Sequence, residues 1–319
     1  MQQFVHYSPT TLDEASSLLK SNANSAPIAG GTKLLYTLKQ DNLPTQSTVI
    51  VDLKSIPNLD YITVSGGVLK IGPNTTLVEI ANSTTVQGSY AALAQSALAV
   101  ATPVLRNMGT IAGNIAQDVW CWYYRGTDNV FNCIRKGGAI CYAQAGDNRF
   151  YHSIFGGPLG CYSIHPSDTA IALSALNATV VTTSATYTMD KFFSPAAPGN
   201  NLAQGELIKE IDVPTPAAGS KSAFIKIAQR PALNFALASA AAWYTPATGA
   251  VTSCRIYLGG VSQVPVHATA AETAITGQTI TAATALAAGQ AAVAKASPMT
   301  GNSYKKQLAA VAIARALQA

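Results

Sequence analysis

Residues 27–35 read PIAGGTKLL. An apolar step precedes two adjacent glycines and a leucine-rich helical step follows, so the segment reads as strand, turn and helix. Adjacent glycines admit close approach to the main chain and present successive N–H groups, which suits a pyrophosphate. The pattern is neither G-x-G-x-x-G nor a P-loop. Taken alone it reads first as a tight turn and second as a phosphate cradle. A second stretch, RNMGTIAGNI at 106–115, offers Gly109 and Gly113 for backbone freedom, and Thr110 and Asn114 for hydrogen bonds. Two such loops, far apart in the chain, suggest a cofactor held between two subdomains. A dinucleotide fits that better than a small substrate.

Outward from these loops the pattern is mixed. Thr11 ahead of Leu12, with acids in the first turn, starts a helix. Ile50, Val51 and Leu53 form a short strand. Tyr61–Val64 and Val68–Ile71 flank Ser65-Gly66-Gly67 as a hairpin. Residues 77–101 read as helical, and ATPVLRNMGTIAGNI at 101–115 as alternating loop and strand. Ser167–Ala175 opens as a helix, with Ser167-Asp168 read as its N-cap. The second reading for Asp168 is acceptance from a ribityl or ribose hydroxyl. A strand over Ala178–Thr182 follows. Pro, Gly, Asn and Ser gather at 185–205, which places a boundary there: one domain over 1–184 and an α+β domain over 185–319. The latter begins with GELIKEIDVP, continues through strand-like FIKIAQR, ALASAAAWYT and TSCRIYLGGV, and ends in Ala-rich helices.

The length of 319 residues fits two domains. Charged residues make up 11%, against about 25% in ordinary proteins. A surface so weakly charged points either to burial against partner subunits or to a composition bias. The net charge of +5 is spread out, with no basic block for nucleic acid. The N-terminus lacks a signal-peptide pattern, and no run approaches the roughly 18 apolar residues of a membrane span. The expectation is a soluble cytoplasmic protein with no nucleic-acid or membrane partner.

Four of the five cysteines, Cys121, Cys133, Cys141 and Cys161, fall in one stretch without a clean period. Disulfides are rare inside cells, so such density favours metal. Structural zinc uses paired short-spaced cysteines, and no such pair occurs here. Wide spacing on an irregular loop suits an iron–sulfur cluster, whose corners take separate thiolates. Glycines such as Gly137 and Gly138 would let N–H groups approach its sulfides, and Arg125, Arg135 and Lys136 would offset its charge. Two disulfides, or unrelated buried cysteines, remain the alternatives. Cys254 stands alone in a strand and reads as core.

PIAGGTKLL, RNMGTIAGNI, HPSDTAIALSALNATV, GELIKEIDVP and FIKIAQRPALNFALASAAA occur in this order. Together they resemble the FAD-binding medium subunit of the xanthine dehydrogenase and carbon monoxide dehydrogenase family of molybdenum hydroxylases. The resemblance covers nearly the whole chain. It implies an α+β fold: a two-subdomain FAD-binding domain of the vanillyl-alcohol-oxidase type, followed by an α+β C-terminal domain. It implies that Ile28, Ala29, Gly30, Gly31, Thr32, Lys33 and Leu34 wrap the FAD pyrophosphate. Thr110, Gly113 and Asn114 would contact it from the second loop, and Asp168 would hold the ribityl or adenosine side. Leu207 would pack on the isoalloxazine, with Lys226 near its polar edge. Lys33, Ala112 and Asn234 depart from the family's usual residues.

Most members run directly from the second loop into the P-S-D segment, whereas this chain inserts about residues 117–163. The insertion is similar to that of the 4-hydroxybenzoyl-CoA reductase flavin subunit and of some periplasmic aldehyde oxidoreductases, which carry an extra [4Fe–4S] cluster there. The resemblance therefore implies FAD and a [4Fe–4S] cluster on Cys121, Cys133, Cys141 and Cys161. It implies electron transfer with a molybdenum cofactor-binding large subunit and a [2Fe–2S] small subunit, in a heterotrimer or a dimer of heterotrimers. Catalytic acid–base residues are not required in such a chain. His152 and His165 are either structural or hydrogen-bond partners that adjust a cluster potential. The rival readings are a stand-alone FAD oxidase and a zinc-stabilised binding module.

Overall fold

The computed structural model describes residues 1–319. The chain opens with β1 (Val5–Tyr7), α1 (Leu12–Ser21), β2 (Ser25–Ile28), α2 (Leu34–Gln40) and β3 (Val49–Asp52). Thr11 caps α1 by accepting from the Glu14 N–H at 3.2 Å. The strands form a small parallel sheet in the order β1-β3-β2. Its core is small, with Ala15, Leu19, Val51, Ile56 and Leu59 buried together.

The second layer runs through β4 (Ile62–Ser65), β5 (Val68–Ile71), α3 (Leu77–Asn82), α4 (Thr84–Ser89), α5 (Ala91–Leu98), α6 (Pro103–Met108) and α7 (Ile111–Ile115). After the cysteine segment come α8 (Asp168–Ala175), β6 (Thr179–Thr182), β7 (Thr186–Thr188), α9 (Met189–Phe192) and β8 (Ile208–Pro214). Five antiparallel strands form a sheet in the order β4-β5-β8-β6-β7. Gly66 and Gly67, both at positive φ, make the β4–β5 turn.

Two expectations change here. Residues 103–115 are two short helices and not alternating loop and strand. Thr102 caps α6, with Pro103 in its first turn, and Thr110 caps α7; these cap signals outweigh the glycines. Second, the five-stranded sheet takes strands from both sides of position 185, since β7 and β8 follow it. The Pro/Gly/Asn stretch is therefore a connection inside this unit, and GELIKEIDVP supplies its central strand.

The C-terminal unit has β9 (Lys221–Ile227), β10 (Ala238–Thr245), β11 (Ser253–Gly259) and β12 (Val266–His267), then α10 (Thr269–Ile275), α11 (Ala282–Ala292) and α12 (Lys305–Gln318). Its antiparallel sheet has the order β12-β11-β10-β9. Side chains alternate across a strand, and both faces are covered. Phe224, Ala241 and Tyr257 join the core of the five-stranded unit. Ala240, Ala242, Ile256 and Leu258 face the other way, against Ala309, Ala312 and Ile313 of α12. The alanine run of β10 thus reads as apolar throughout because helices cover it on both sides.

Helix α11 touches α12 through Gly289. A Cβ there would strike the Ala310 carbonyl oxygen and lie 3.0 Å from Ala310 Cα. Gly289→Ala gains about 1 kcal/mol of helix propensity, but overpacking against backbone costs about 1–3 kcal/mol. A net fall in the denaturant midpoint is expected; a rise would contradict this close approach.

Candidate functional site

The two glycine loops meet edge to edge. A Cβ on Gly30 would strike the Met108 carbonyl oxygen and lie 3.0 Å from Gly109 Cα. Only a residue without a side chain permits this seam. Gly31 holds φ of 70°, a region glycine enters without strain. The carbonyls of Gly31 and Lys33 accept from the N–H groups of Leu35 and Thr37 as α2 begins. The backbone N–H groups of Ala29 to Lys33 find no acceptor within the protein. A run of free main-chain donors beside a glycine turn is an anion-binding surface. Across the seam the Thr110 N–H is likewise free, while Thr110 Oγ1 accepts from Gly113 N at 3.3 Å.

Asn114 ties this seam to α8. Its Oδ1 accepts from Ser167 Oγ and Thr169 Oγ1, each at 2.6 Å. That geometry leaves the Asn114 amide N–H groups available. Ser167 Oγ also accepts from Ala170 N at 3.0 Å, so Ser167 is the N-cap of α8. Asp168 is thereby released from the capping role expected of it. Its carboxylate pairs with Lys226 Nζ at 2.6 Å, with both side chains buried. Lys226 also donates to the Ala99 carbonyl at 2.9 Å. Burial pushes the Asp168 carboxyl above the usual range, and Lys226 only partly opposes that. A narrow crevice separates Ile164–Asp168 from Ala236, Ser239 and Gly260.

Leu207 is not brought to this seam. Its side chain is buried with Ala15, Leu19 and Val51, and its backbone pairs with Thr183. The residue that follows it starts β8, and the Leu207 side chain points into the small N-terminal core. Lys33 is drawn toward the cysteine segment. Burial lowers its pKa to about 7; repulsion from Arg125 adds to this and Asp118 opposes it.

The cysteine segment is held from three sides. Lys136 Nζ donates to the Asn42 carbonyl at 3.0 Å. Arg135 pairs with Asp118 at 2.7 Å and donates to the Pro195 carbonyl at 2.8 Å. From the C-terminal unit, Gln263 donates to the Cys161 carbonyl at 2.7 Å, and Asn302 donates to the His152 and Ser153 carbonyls. Lys305, fully buried, donates to the carbonyls of Phe150, His152 and Gly260 at 2.7–2.9 Å. Sequence reasoning missed Gln263, Asn302 and Lys305, whose partners in the cysteine segment lie more than a hundred positions away.

All five cysteines are free thiols, so the two-disulfide alternative does not hold. Cys121, Cys133 and Cys161 are buried, and Cys141 is half-buried. Burial raises the Cys121 thiol to about 12; the backbone N–H groups of Tyr124 and Tyr123 pull it down, and Cys161 and Cys141 push it up. Cys133 is raised by burial and opposed by the Arg135 and Lys136 backbones and the Lys136 charge. Cys161 and Cys141 thus act electrostatically on Cys121, and Cys161 on Cys133. No group of three or more His, Cys, Asp or Glu side chains is close enough to chelate a single metal ion. No helix is long and apolar enough to cross a membrane.

The family profile described as FAD binding domain in molybdopterin dehydrogenase matches residues 2–216. The profile described as CO dehydrogenase flavoprotein C-terminal domain matches residues 223–319. The chain is 33% identical over 285 residues to the aldehyde oxidoreductase FAD-binding subunit PaoB of Escherichia coli K12, covering 85% of this chain and 86% of that one. It is 27% identical to the carbon monoxide dehydrogenase medium chain of Hydrogenophaga pseudoflava over 99% of this chain and 96% of that one. A solved structure of carbon monoxide dehydrogenase from the same organism superposes with a TM-score of 0.78 at 26% identity, covering 100% of this chain and 97% of that chain.

Lys226→Met leaves a buried carboxylate unpaired, a loss of about 3–5 kcal/mol. Because the folded-state pKa of Asp168 is raised, the native state binds that proton more tightly than the unfolded chain. Stability from this group is present at low pH and falls as pH rises through the folded pKa. The deficit of Lys226→Met in denaturant unfolding is expected to be largest at neutral pH and to shrink in acid. A deficit independent of pH would contradict the pairing.

Proposed function

Because this chain belongs to the FAD-binding family of molybdopterin dehydrogenases, we propose that it is the FAD-carrying medium subunit of a molybdenum hydroxylase complex. In this reading it passes electrons between a partner's [2Fe–2S] centre and an external carrier. The observation that carries the proposal is the seam at Gly30, where free N–H groups of Ala29 to Lys33 lie against the second glycine loop. Backbone donors there fit the FAD pyrophosphate, with Ile28 to Leu34 wrapping it. Thr110 would contribute its free main-chain N–H, Gly113 close backbone approach, and Asn114 its amide N–H groups. Asp168 and Lys226 sit as a preformed ion pair where the C-terminal sheet meets α8, fitting the polar side of the flavin. The relatives are an FAD-binding subunit and a medium chain, which supports partner subunits, and the molybdopterin dehydrogenase family supports a molybdenum cofactor on one of them.

The finer reading gives the cysteine segment an iron–sulfur role. Cys121, Cys133, Cys141 and Cys161 would hold a [4Fe–4S] cluster, which supplies one-electron transfer at a potential set by its surroundings. The chain's own contribution is burial of the thiols and the charge of Lys136 near Cys133. Four cysteines on one irregular segment without a short-spaced pair suit a cluster with separated corners better than zinc. A self-sufficient oxidase would need a side chain over the flavin free to take a proton, and Asp168 at the seam is tied to Lys226.

Gly30→Ala is expected to weaken FAD binding at least tenfold while far-UV circular dichroism is unchanged. Retained affinity would overturn the seam as the pyrophosphate site. Cys133→Ser is expected to lose most of about four irons per chain and keep its FAD. Unchanged iron would overturn the cluster.

A further inference from the structure

Arg125 belongs to the inserted segment, yet half of its guanidinium has no work there. The residue is only 8% exposed. Its guanidinium carbon lies 5.5 Å from the Trp120 ring centroid and 5.8 Å from that of Phe235. One edge of the group is used within the segment. Nε donates to the Val119 carbonyl at 3.3 Å, and Nη2 donates to the carbonyls of Asp118 and Val119, each at 3.2 Å. Nη1 meets no acceptor in the protein, and an unmet donor on a buried charged group is costly unless a ligand supplies the acceptor. No carboxylate neutralises Arg125. The carboxylate of Asp118 is taken by Arg135, by the Tyr124 hydroxyl and by the Val119 N–H.

A second cation without a carboxylate stands near it. Lys33 closes the glycine loop ahead of α2, and its Nζ donates to Thr37 Oγ1 at 2.6 Å. Beyond α2, Leu43 packs on the cluster that holds Val119 and Tyr124, and the bond from Lys136 Nζ to the Asn42 carbonyl fastens the same contact. This packing brings Arg125 close enough to repel Lys33. We propose that Arg125 and Lys33 are the side-chain cations of the flavin site, so that the inserted segment completes the pocket for the FAD diphosphate. The inference rests on the seam reading given above. The free N–H groups of Ala29 to Lys33 offer partial charge, which suits any anion. Two full charges beside them match a diphosphate dianion. The bound anion would relieve the repulsion between the cations and give Nη1 its acceptor. Arginine can serve both sides at once, because its planar fork presents one edge to main-chain carbonyls and another to phosphate. The Trp120 and Phe235 rings hold that plane.

The test is a titration of FAD into the full chain stripped of flavin, read by flavin fluorescence, with inorganic pyrophosphate as competitor. Lys33→Gln removes one charge and no main-chain contact. Arg125→Lys keeps the charge, but an ammonium bonded to the Val119 carbonyl cannot also reach the diphosphate. Arg125→Gln, which keeps an N–H for Val119, takes its place if Arg125→Lys does not fold. Lys33→Gln and the Arg125 variant are each expected to bind FAD about tenfold more weakly, the loss of one charge-assisted hydrogen bond. The inhibition constant of pyrophosphate is expected to rise in both, and Lys33→Arg is expected to keep the parent's affinity. Parent affinity for FAD in Lys33→Gln or in the folded Arg125 variant would overturn the inference and leave the seam intact. An unchanged inhibition constant for pyrophosphate would overturn it by moving the cations to another part of the flavin. Lys33→Arg as weak as Lys33→Gln would overturn it by making packing, not charge, the cause. A parent chain that binds no FAD would overturn the seam reading itself.

Discussion

The contact between Gly30 and the Met108–Gly109 backbone is the constraint on which the rest of the site depends. Main chain meets main chain there, and any Cβ would strike a carbonyl oxygen. That approach puts the free N–H groups after β2 beside Thr110 and Asn114, which come from a different layer of the fold. Asn114 then extends the arrangement to α8 through Ser167 and Thr169. Hydrogen bonds of this kind orient the groups more than they stabilise the fold, since each contributes only about 0.5–1.5 kcal/mol net. Their value lies in holding three loops in one register.

The C-terminal unit reaches back with two buried lysines. Lys226, on β9, neutralises Asp168 at the first residue of α8. Lys305, at the start of α12, has no carboxylate partner and binds three carbonyls, two of them in the cysteine segment. Burial lowers its pKa to about 7, so keeping it there has a desolvation cost. The return is a cysteine segment fixed against a rigid sheet although it has little regular structure of its own. One unit therefore braces both the glycine seam and the thiols, and a disturbance in its packing reaches both.

Much of the architecture was legible. Thr11 and Ser167 as caps, the Ser65-Gly66-Gly67 hairpin, and the strands and terminal helices of the C-terminal unit all follow from local signals. The 33% identical relative and the superposed structure agree with the family resemblance read from five motifs. What was hidden is non-local. The helices at 103–115 were masked by their glycines, although Thr102, Pro103 and Thr110 marked their starts. The composition shift near 185 looked like a domain edge because a loop between two strands of one sheet has the same chemistry as a linker. The burial of Leu207 in the small N-terminal core was not legible either, since the direction of a side chain beside a strand depends on register. The contacts His152–Cys121 and Lys305–His152 had no sequence signal, because proximity there is made only by folding.

The central claim is that the seam at Gly30 carries FAD beside a cysteine-bound cluster. The visible absorption spectrum of the purified chain tests it most directly. The account predicts resolved flavin bands on a broad iron–sulfur shoulder, with both bleaching on reduction. A colourless protein would contradict the account, and flavin bands without the shoulder would contradict its cluster.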